Sequence, residues 1–192
     1  MTLYATLTAE RPERLAIAAL AALAGSMLLT VSAKIAIPFY PVPLTMTTFV
    51  VIGLGLALGP RLGAAAVLVY LAQGAAGLPV FAGTPDKGLG LAYMAGPTGG
   101  YLAGYVLAAL AAGFLAERGM DRSPLTAFVA ALVAGALIYV PGLLWLGALF
   151  GWDQPILAWG LTPFIPGDLV KAALAALAFP AAWAMIAKKG GF

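Results

Sequence analysis

The sequence contains no cysteine and no histidine, and it holds only 10 basic and 7 acidic residues among 192. Without cysteine there is no disulfide, no thiol nucleophile and no cysteine metal site. Without histidine, an intramembrane serine protease lacks the usual base for its serine. The sequence also lacks the phosphate-binding pattern G-x-x-x-x-G-K-[ST], which excludes ATP hydrolysis by that route. These absences make an enzyme a poor interpretation, and they favour binding or transport.

Charge is scarce because most of the chain is apolar. The composition is 63% hydrophobic and 9% charged, with a mean hydropathy of +1.02, whereas a soluble domain carries about 25% charged residues. We therefore predict one integral membrane domain over residues 1–192, lying in a lipid bilayer. The first apolar run is long, which predicts a retained span rather than a cleaved signal peptide. A net charge of +3, spread along the chain, does not indicate nucleic-acid binding.

Charged residues divide the sequence into uncharged runs, and about 20 apolar residues cross a ~30 Å hydrocarbon core. The runs show no alternation with a period of two, so helices are expected rather than the strands of a barrel. The predicted class is an all-α membrane protein with six transmembrane helices. The predicted spans are about 15–36, 44–59, 62–78, 91–116, 124–149 and 162–187.

Basic residues are distributed unequally between the two sides of this arrangement. Six spans put both termini on one side, and two basic residues, Lys34 and Lys87, fall in loops on the other side. Cytoplasmic loops carry the excess of basic residues, so this asymmetry predicts cytoplasmic termini. The basic residues on the predicted cytoplasmic side are Arg11, Arg14, Arg61, Arg118, Arg122, Lys188 and Lys189.

The last span begins with an acid and a base. Asp168 and Lys171 are three residues apart, so they share a face of a helix. Each charge costs ~2.5–3.5 kcal/mol within a membrane helix, and such residues commonly mark a ligand or ion path. The alternative is a buried pair whose members only neutralise each other. Asp168 is the only acid inside a predicted span, so an aspartyl protease with two carboxylates is not expected.

Three predicted outer loops lie on the same side as this pair. The first loop, Pro38 to Pro43, is too rich in proline to be helical, and its aromatic residues Phe39 and Tyr40 are candidates to cover an apolar ligand. Tyr93, near the outer end of the fourth span, is a further candidate. Thr45 at the start of the second span is another, although a threonine hydroxyl often bonds its own helix. The outer loops, their aromatic residues and the charged pair all lie on one side, which predicts a pocket that is loaded from outside.

The first span is rich in small residues. Ala18 and Ala22 recur at a spacing of four, which makes a smooth face that a second helix can approach closely. This face is either a docking surface for a partner or ordinary packing inside the bundle, and in so alanine-rich a protein both readings stay open.

Five segments of the sequence form a pattern in a fixed order: PFYPVPLTMTTF (38–49), LGPRLGA (58–64), GLPVFAG (77–83), GPTGGY (96–101) and PGDLVKA (166–172). Together they resemble one family, the BioY family of biotin-binding S components of energy-coupling-factor (ECF) vitamin transporters. The resemblance implies a six-helix S-component fold in the bacterial cytoplasmic membrane, with biotin as the transported ligand and no cofactor. It also implies partners, namely a transmembrane T component and two ABC-type ATPases.

The resemblance also implies roles for particular residues. The acid and base of the family fall on Asp168 and Lys171, and the Ala-x-x-x-Ala face that meets the T component falls on Ala18 and Ala22. Family members often carry an asparagine for the ureido ring in the second outer loop. Here that loop reads TPDKGLGL, so the second polar partner of the ring is not assigned.

Biotin is chemically suited to these residues. An ionised aspartate only accepts hydrogen bonds and a lysine only donates them. Asp168 is therefore expected to accept the ureido N–H groups, and Lys171 to meet either the ureido or the carboxylate oxygen, with Phe39, Tyr40 and Tyr93 packed on the bicycle. The rival interpretations are an S component for another vitamin, an ion-coupled transporter acting alone with Asp168 as the proton site, and an assembly protein without a ligand.

Overall fold

The computed structural model describes residues 2–8 and 14–190, so Arg11 of the predicted basic cluster lies outside the described residues. The described chain is mainly helical, with one pair of two-residue strands, β1 (Ala36–Ile37) and β2 (Leu44–Thr45). The helices are α1 (Leu3–Thr8), α2 (Arg14–Lys34), α3 (Thr47–Leu58), α4 (Pro60–Ala75), α5 (Gly90–Met94), α6 (Gly99–Glu117), α7 (Pro124–Phe150), α8 (Ile156–Gly160) and α9 (Ile165–Gly190).

Four segments of the described chain are long and apolar enough to cross a membrane: Leu15–Lys34, Gly99–Glu117, Pro124–Phe150 and Ile156–Lys188. Helices α3 and α4 have 12 and 16 residues. At 1.5 Å per residue they measure roughly 18 and 24 Å, which is less than a full crossing of the hydrocarbon core. The fold is therefore a helical membrane bundle in which α3 and α4 are shorter than the hydrocarbon core is thick.

Strand pairing changes the predicted ends of the first two spans. Strands β1 and β2 pair antiparallel, so α2 ends at Lys34 rather than at residue 36, and α3 begins at Thr47 rather than at residue 44. The prediction of helix at these positions was wrong. Pairing across the proline-rich loop depends on contacts between segments that a run of apolar residues does not reveal.

The predicted fourth span was wrong in a different way. Residues 91–116 do not form one helix, because α5 and α6 are separated by a turn at residues 95–98. Pro97 in this turn has no backbone N–H to donate to a continuing helix. The third span also ends early, at Ala75, followed by Gly77 with a φ of +93° that suits glycine. The last span starts with a 3₁₀ turn, and α9 begins at Ile165.

Helix α6 lies at the centre and packs on α3, α4 and α7, while α9 packs on α7 and α3. Glycine permits the closest approaches. A Cβ at Gly55 would lie 2.5 Å from the Ala109 carbonyl oxygen, and one at Gly113 would lie 2.2 Å from the Pro60 nitrogen. These contacts hold α3, α4 and α6 together where the chain turns at Gly59.

The alternation of helices defines two ends of the bundle. The pocket end comprises residues 34–47, 75–99 and 150–165, and the opposite end comprises residues 58–60 and 117–124. All three predicted outer loops lie at the pocket end. Helix α9 starts within that end and runs toward the other, so its two ends carry different environments.

Candidate functional site

A cavity of about 540 Å³, including its open mouth, lies at the pocket end. Small-molecule pockets typically have mostly apolar walls and a few polar anchors. Aromatic rings form much of the wall, four threonine hydroxyls and Lys171 supply polar groups, and loops and helices contribute together. The aromatic lining residues are Tyr70, Phe81, Tyr93, Tyr101, Tyr105, Tyr139 and Phe164, and the threonines are Thr45, Thr47, Thr48 and Thr98.

The predicted acid and base are in contact, with Lys171 in the lining of this cavity and Asp168 outside that lining. Lys171 Nζ donates to Asp168 Oδ1 over 3.3 Å and to Thr48 Oγ1 over 2.8 Å. The Tyr139 hydroxyl donates to Asp168 Oδ2. The lysine side chain is 12% exposed and the aspartate side chain 22% exposed. The pair is thus hydrogen-bonded on both members yet still within reach of a ligand.

Asp168 sits in the first turn of α9, where the positive end of the helix dipole stabilises a carboxylate. It lines a second cavity, of about 640 Å³, between α3, α7 and α9. Thr48, Ile138, Tyr139 and Lys171 line both cavities. The charged network therefore forms part of the partition between them, with Lys171 facing both spaces.

Aromatic packing sets the shape of another part of the cavity wall. The rings of Phe81 and Tyr93 stack with centroids 4.9 Å apart, and Tyr70 meets Phe81 edge-on at 5.3 Å. The Tyr93 hydroxyl donates to the Ala82 carbonyl over 2.9 Å. The structure places both Tyr93 and Thr45, which the sequence singled out, in the cavity lining.

Thr47 places a buried hydroxyl in the lining. Thr47 is 1% exposed, and its Oγ1 makes no hydrogen bond of normal geometry within the described protein. Buried polar groups are nearly always hydrogen-bonded. The Thr47 side chain lines the cavity beside Tyr105, so its hydroxyl is positioned to bond a molecule there.

Two aromatic candidates lie elsewhere. Phe39 is 38% exposed and Tyr40 is 74% exposed, and neither lines the cavity. Val42 and Pro43 from the same loop line it instead. Pairing of β1 with β2 closes the loop, so its second half faces the cavity and its first half faces away. Phe39 and Tyr40 thus lie outside this lining, and their contact with a ligand stays a prediction.

The predicted docking face on α2 is partly buried within this chain. Ala22 is only 7% exposed and belongs to the core of this chain, and Ala18 is half-buried. Three residues beyond Ala22, a Cβ at Gly25 would lie 2.9 Å from the Cβ of Ala66 on α4. Packing within the bundle therefore accounts for Ala22, and Ala22 is not available as a docking surface in this conformation.

Sequence reasoning missed most of the aromatic wall. Tyr139, which bonds Asp168, was not singled out, and neither were Tyr70 or Tyr105. A usable signal was present, because each is a tyrosine inside a long apolar helix, where its hydroxyl needs a partner.

Comparison with known proteins agrees with the resemblance in the sequence. The BioY family model matches residues 6–188. A probable biotin transporter BioY of Pyrococcus horikoshii is 40% identical over 150 residues, covering 78% of this chain and 86% of that protein. The biotin transporter BioY of Thermotoga maritima is 40% identical over 151 residues, with the same coverage of each chain.

A solved structure is similar as well. The crystal structure of the S-component for biotin from an ECF-type ABC transporter superposes with a TM-score of 0.74 and 26% sequence identity. It covers 88% of this chain and 92% of that one. The family assignment made from the motifs is therefore confirmed: the chain belongs to the BioY family.

Proposed function

We propose that this protein captures biotin as the S component of an ECF-type transporter and supports its uptake across the cytoplasmic membrane. The observation that carries the proposal is the aromatic cavity with Lys171 in its wall and Asp168 bonded to that lysine. Support comes from the BioY family match, from relatives that are biotin transporters, and from a structural neighbour that is a biotin S-component. The protein is not an enzyme in this proposal.

The cavity offers biotin a complementary set of groups. Its apolar bicycle fits between aromatic rings, of which Tyr93 and Phe81 present a stacked pair. Lys171 donates to a ligand oxygen from the cavity wall. Asp168, which bonds Lys171 and lines the neighbouring cavity, accepts a ureido N–H of the ligand in this proposal. The buried Thr47 hydroxyl is the candidate for the ring partner that the sequence left unassigned, because it lines the cavity and makes no hydrogen bond of normal geometry within the described residues. Thr45 contributes a further hydroxyl.

The transport cycle in this proposal needs partners. The chain spans the membrane six times as one domain, with both termini in the cytoplasm, and it docks on a transmembrane T component that works with two ABC-type ATPases. The half-buried Ala18 remains the candidate docking residue on α2. The exposed side of the same helix carries larger apolar residues: Leu20, Leu23, Met27 and Val31.

Equilibrium binding of labelled biotin to the purified chain in detergent tests the proposal. We expect saturable binding that unlabelled biotin displaces and thiamine does not, and Lys171→Met should weaken it. Lys87→Met is the matched control, since Lys87 is exposed and lies outside the cavity lining. Absence of saturable binding to the folded parent chain would overturn the proposal.

Reconstitution separates the energy sources. With the T component and ATPases present, uptake should require ATP and persist with an uncoupler. Uptake by the chain alone that collapses with an uncoupler would favour the ion-coupled alternative.

Ala18→Trp should keep biotin binding and lose association with the module, whereas Leu20→Trp, on the exposed side of α2, tests the neighbouring surface. Association retained in Ala18→Trp would exclude Ala18 as a docking contact.

A further inference from the structure

One side of the cavity is closed by the loop at residues 76–89, called here the cover loop, which joins α4 to α5 without regular secondary structure. Phe81 and Ala82 from this loop line the cavity and are 1% and 7% exposed. The Phe81 ring is wedged tightly, since a Cβ at Gly74 would lie only 2.0 Å from it. The cover loop therefore has to keep its position for the cavity to keep its wall.

Lys34 at the end of α2 holds the backbone of this loop. Its Nζ donates to the Phe81 carbonyl over 2.9 Å, to the Thr84 carbonyl over 3.2 Å and to Thr84 Oγ1 over 3.0 Å. A lysine ammonium has three donors, and all three are used here. The Thr84 hydroxyl in turn donates to the Phe81 carbonyl over 2.7 Å. Lys34 thus binds the carbonyl of a residue whose ring forms the cavity wall.

The position of Lys34 also connects two covering segments. Ala33, the preceding residue, lines the cavity, and β1 begins two residues after Lys34. Strand β1 pairs with β2, whose Thr45 lines the cavity. One side chain therefore joins the base of the proline-rich hairpin to the cover loop.

A glycine with a positive φ lies near each end of the cover loop. Gly77 and Gly88 each have a φ of +93°, and no atom lies within 4 Å of a Cβ built at either position. Hinges are a few residues at element ends that absorb changes of φ and ψ. Between these glycines the loop is tied to the rest of the chain by Lys34 and by the hydroxyls of Tyr93 and Tyr70, the last over a long 3.4 Å.

We infer that Lys34 is a positioning residue that latches the cover loop over the cavity and sets the rate at which the ligand leaves. The Lys34 side chain is exposed, so water competes for its three donors. Such bonds form and break more easily than buried ones, which suits a latch rather than a permanent brace. The inference rests on the proposed function, because the rate concerns biotin.

Lys34→Met tests the latch, since it keeps an unbranched side chain and removes every donor. With labelled biotin and an excess of unlabelled chase, we expect dissociation to become roughly 5- to 30-fold faster, as one or two kcal/mol implies. Association should be unchanged or faster, because an open loop does not block entry. Lys34→Arg, which restores donors, should recover most of the slow release.

Lys87→Met is the matched control on the same loop, since it removes an exposed lysine and leaves the three Lys34 bonds in place. Thr84→Val removes one acceptor and should accelerate release less than Lys34→Met. In the double variant Lys34→Met with Thr84→Val, the two effects should not add, because both act on one contact.

The outcomes distinguish the latch from the proposed function. If the parent binds biotin and Lys34→Met releases it at the parental rate, the latch is wrong while the function stands. If the folded parent does not bind biotin at all, the proposed function fails first. Should Lys34→Met not fold, Lys34→Gln, which is shorter and loses the ammonium group, takes its place, and parental release by that variant would exclude the latch.

Discussion

Helix α9 is associated with one aspartate near each of its ends, and the two aspartates have different surroundings. At the pocket end, Asp168 bonds Lys171 and Tyr139 beside open space. Near the opposite end, Trp183 of α9 donates through Nε1 to Asp121 Oδ2 over 2.5 Å, and Asp121 is completely buried. One acid is partnered by a cation at the edge of a cavity, and the other is partnered by an aromatic N–H.

Asp168, which we propose binds the ligand, is partly exposed beside a cation, whereas Asp121 is buried inside the packing of the opposite end. Asp121 Oδ1 has no hydrogen-bond partner within the described protein, and Arg122 stacks over the Trp183 ring at 4.7 Å instead of bonding the acid. Burial raises the pKa of the Asp121 carboxyl above its ordinary value, and the bond from Trp183 opposes this rise. Asp121 joins the turn between α6 and α7 to α9, so its role is to hold the opposite end together.

The largest expected effect concerns which end faces outside. The chain has no cysteine, so single cysteines can be introduced without background. Lys87→Cys and Asp153→Cys at the pocket end should react with a membrane-impermeant thiol reagent in intact cells. Arg61→Cys and Glu117→Cys at the opposite end should react only after lysis. All four side chains are exposed in the structure, and the reverse labelling pattern would invert the proposed topology.

The next effect compares the two acids directly. Asp168→Ala removes an acceptor and leaves Lys171 as a poorly compensated charge. Loss of a charged hydrogen bond costs ~1.5–3 kcal/mol, so biotin affinity should fall by ~10- to 150-fold. Asp121→Asn keeps an acceptor for Trp183 far from the cavity and should leave the affinity unchanged. Equal effects on the dissociation constant, measured at equilibrium, would remove the distinction between the two ends.

A smaller effect tests the buried hydroxyl of Thr47. Thr47→Val keeps the shape of the side chain and removes the hydroxyl. If this hydroxyl bonds biotin, the loss of ~0.5–1.5 kcal/mol weakens binding about 2- to 13-fold. Thr126→Val at the opposite end, where the hydroxyl bonds the Ser123 carbonyl, should not alter binding. Parental affinity in Thr47→Val would show that biotin does not use this group.

The smallest expected effect is on the pH dependence of folding stability, to which Asp121 contributes. Because burial raises its folded-state pKa, the folded chain holds this proton more tightly than the unfolded chain does. Its contribution to stability is therefore present below the ordinary aspartate pKa and declines as pH rises through the raised folded value. Asp121→Asn should remove that decline, so its melting temperature relative to the parent should increase from acidic to neutral pH.

Asp153→Asn is the control for this measurement, since Asp153 is exposed and bonds only Gln154 over 3.1 Å among the contacts described. Its melting temperature should follow the parent across the same range. A constant difference between Asp121→Asn and the parent at every pH would contradict the raised pKa.

Much of the site could be predicted where the determining physics is local. Asp168 and Lys171 meet because a spacing of three places them on one side of a helix, and the structure brings their atoms to 3.3 Å. Tyr93 could be placed near the cavity because it lies close to the end of an apolar run. The partner of Asp168, by contrast, is Tyr139, 29 residues away, and no spacing rule connects two helices.

The sequence by itself determined that the chain is a helical membrane protein of the BioY family, since scarce charge, long apolar runs and ordered motifs are properties of the chain in one dimension. Only the tertiary structure decided how each helix is rotated. In an ordinary soluble protein a polar face marks the side of a helix that meets water. Helix α2 is apolar on both sides, with Ala22 buried and Leu20 65% exposed, so hydrophobicity cannot tell the bundle from the lipid. Close packing decided which side of each helix faces the bundle. It therefore also decided that Ala22 points inward, that Tyr40 points outward and that Lys34 reaches the cover loop.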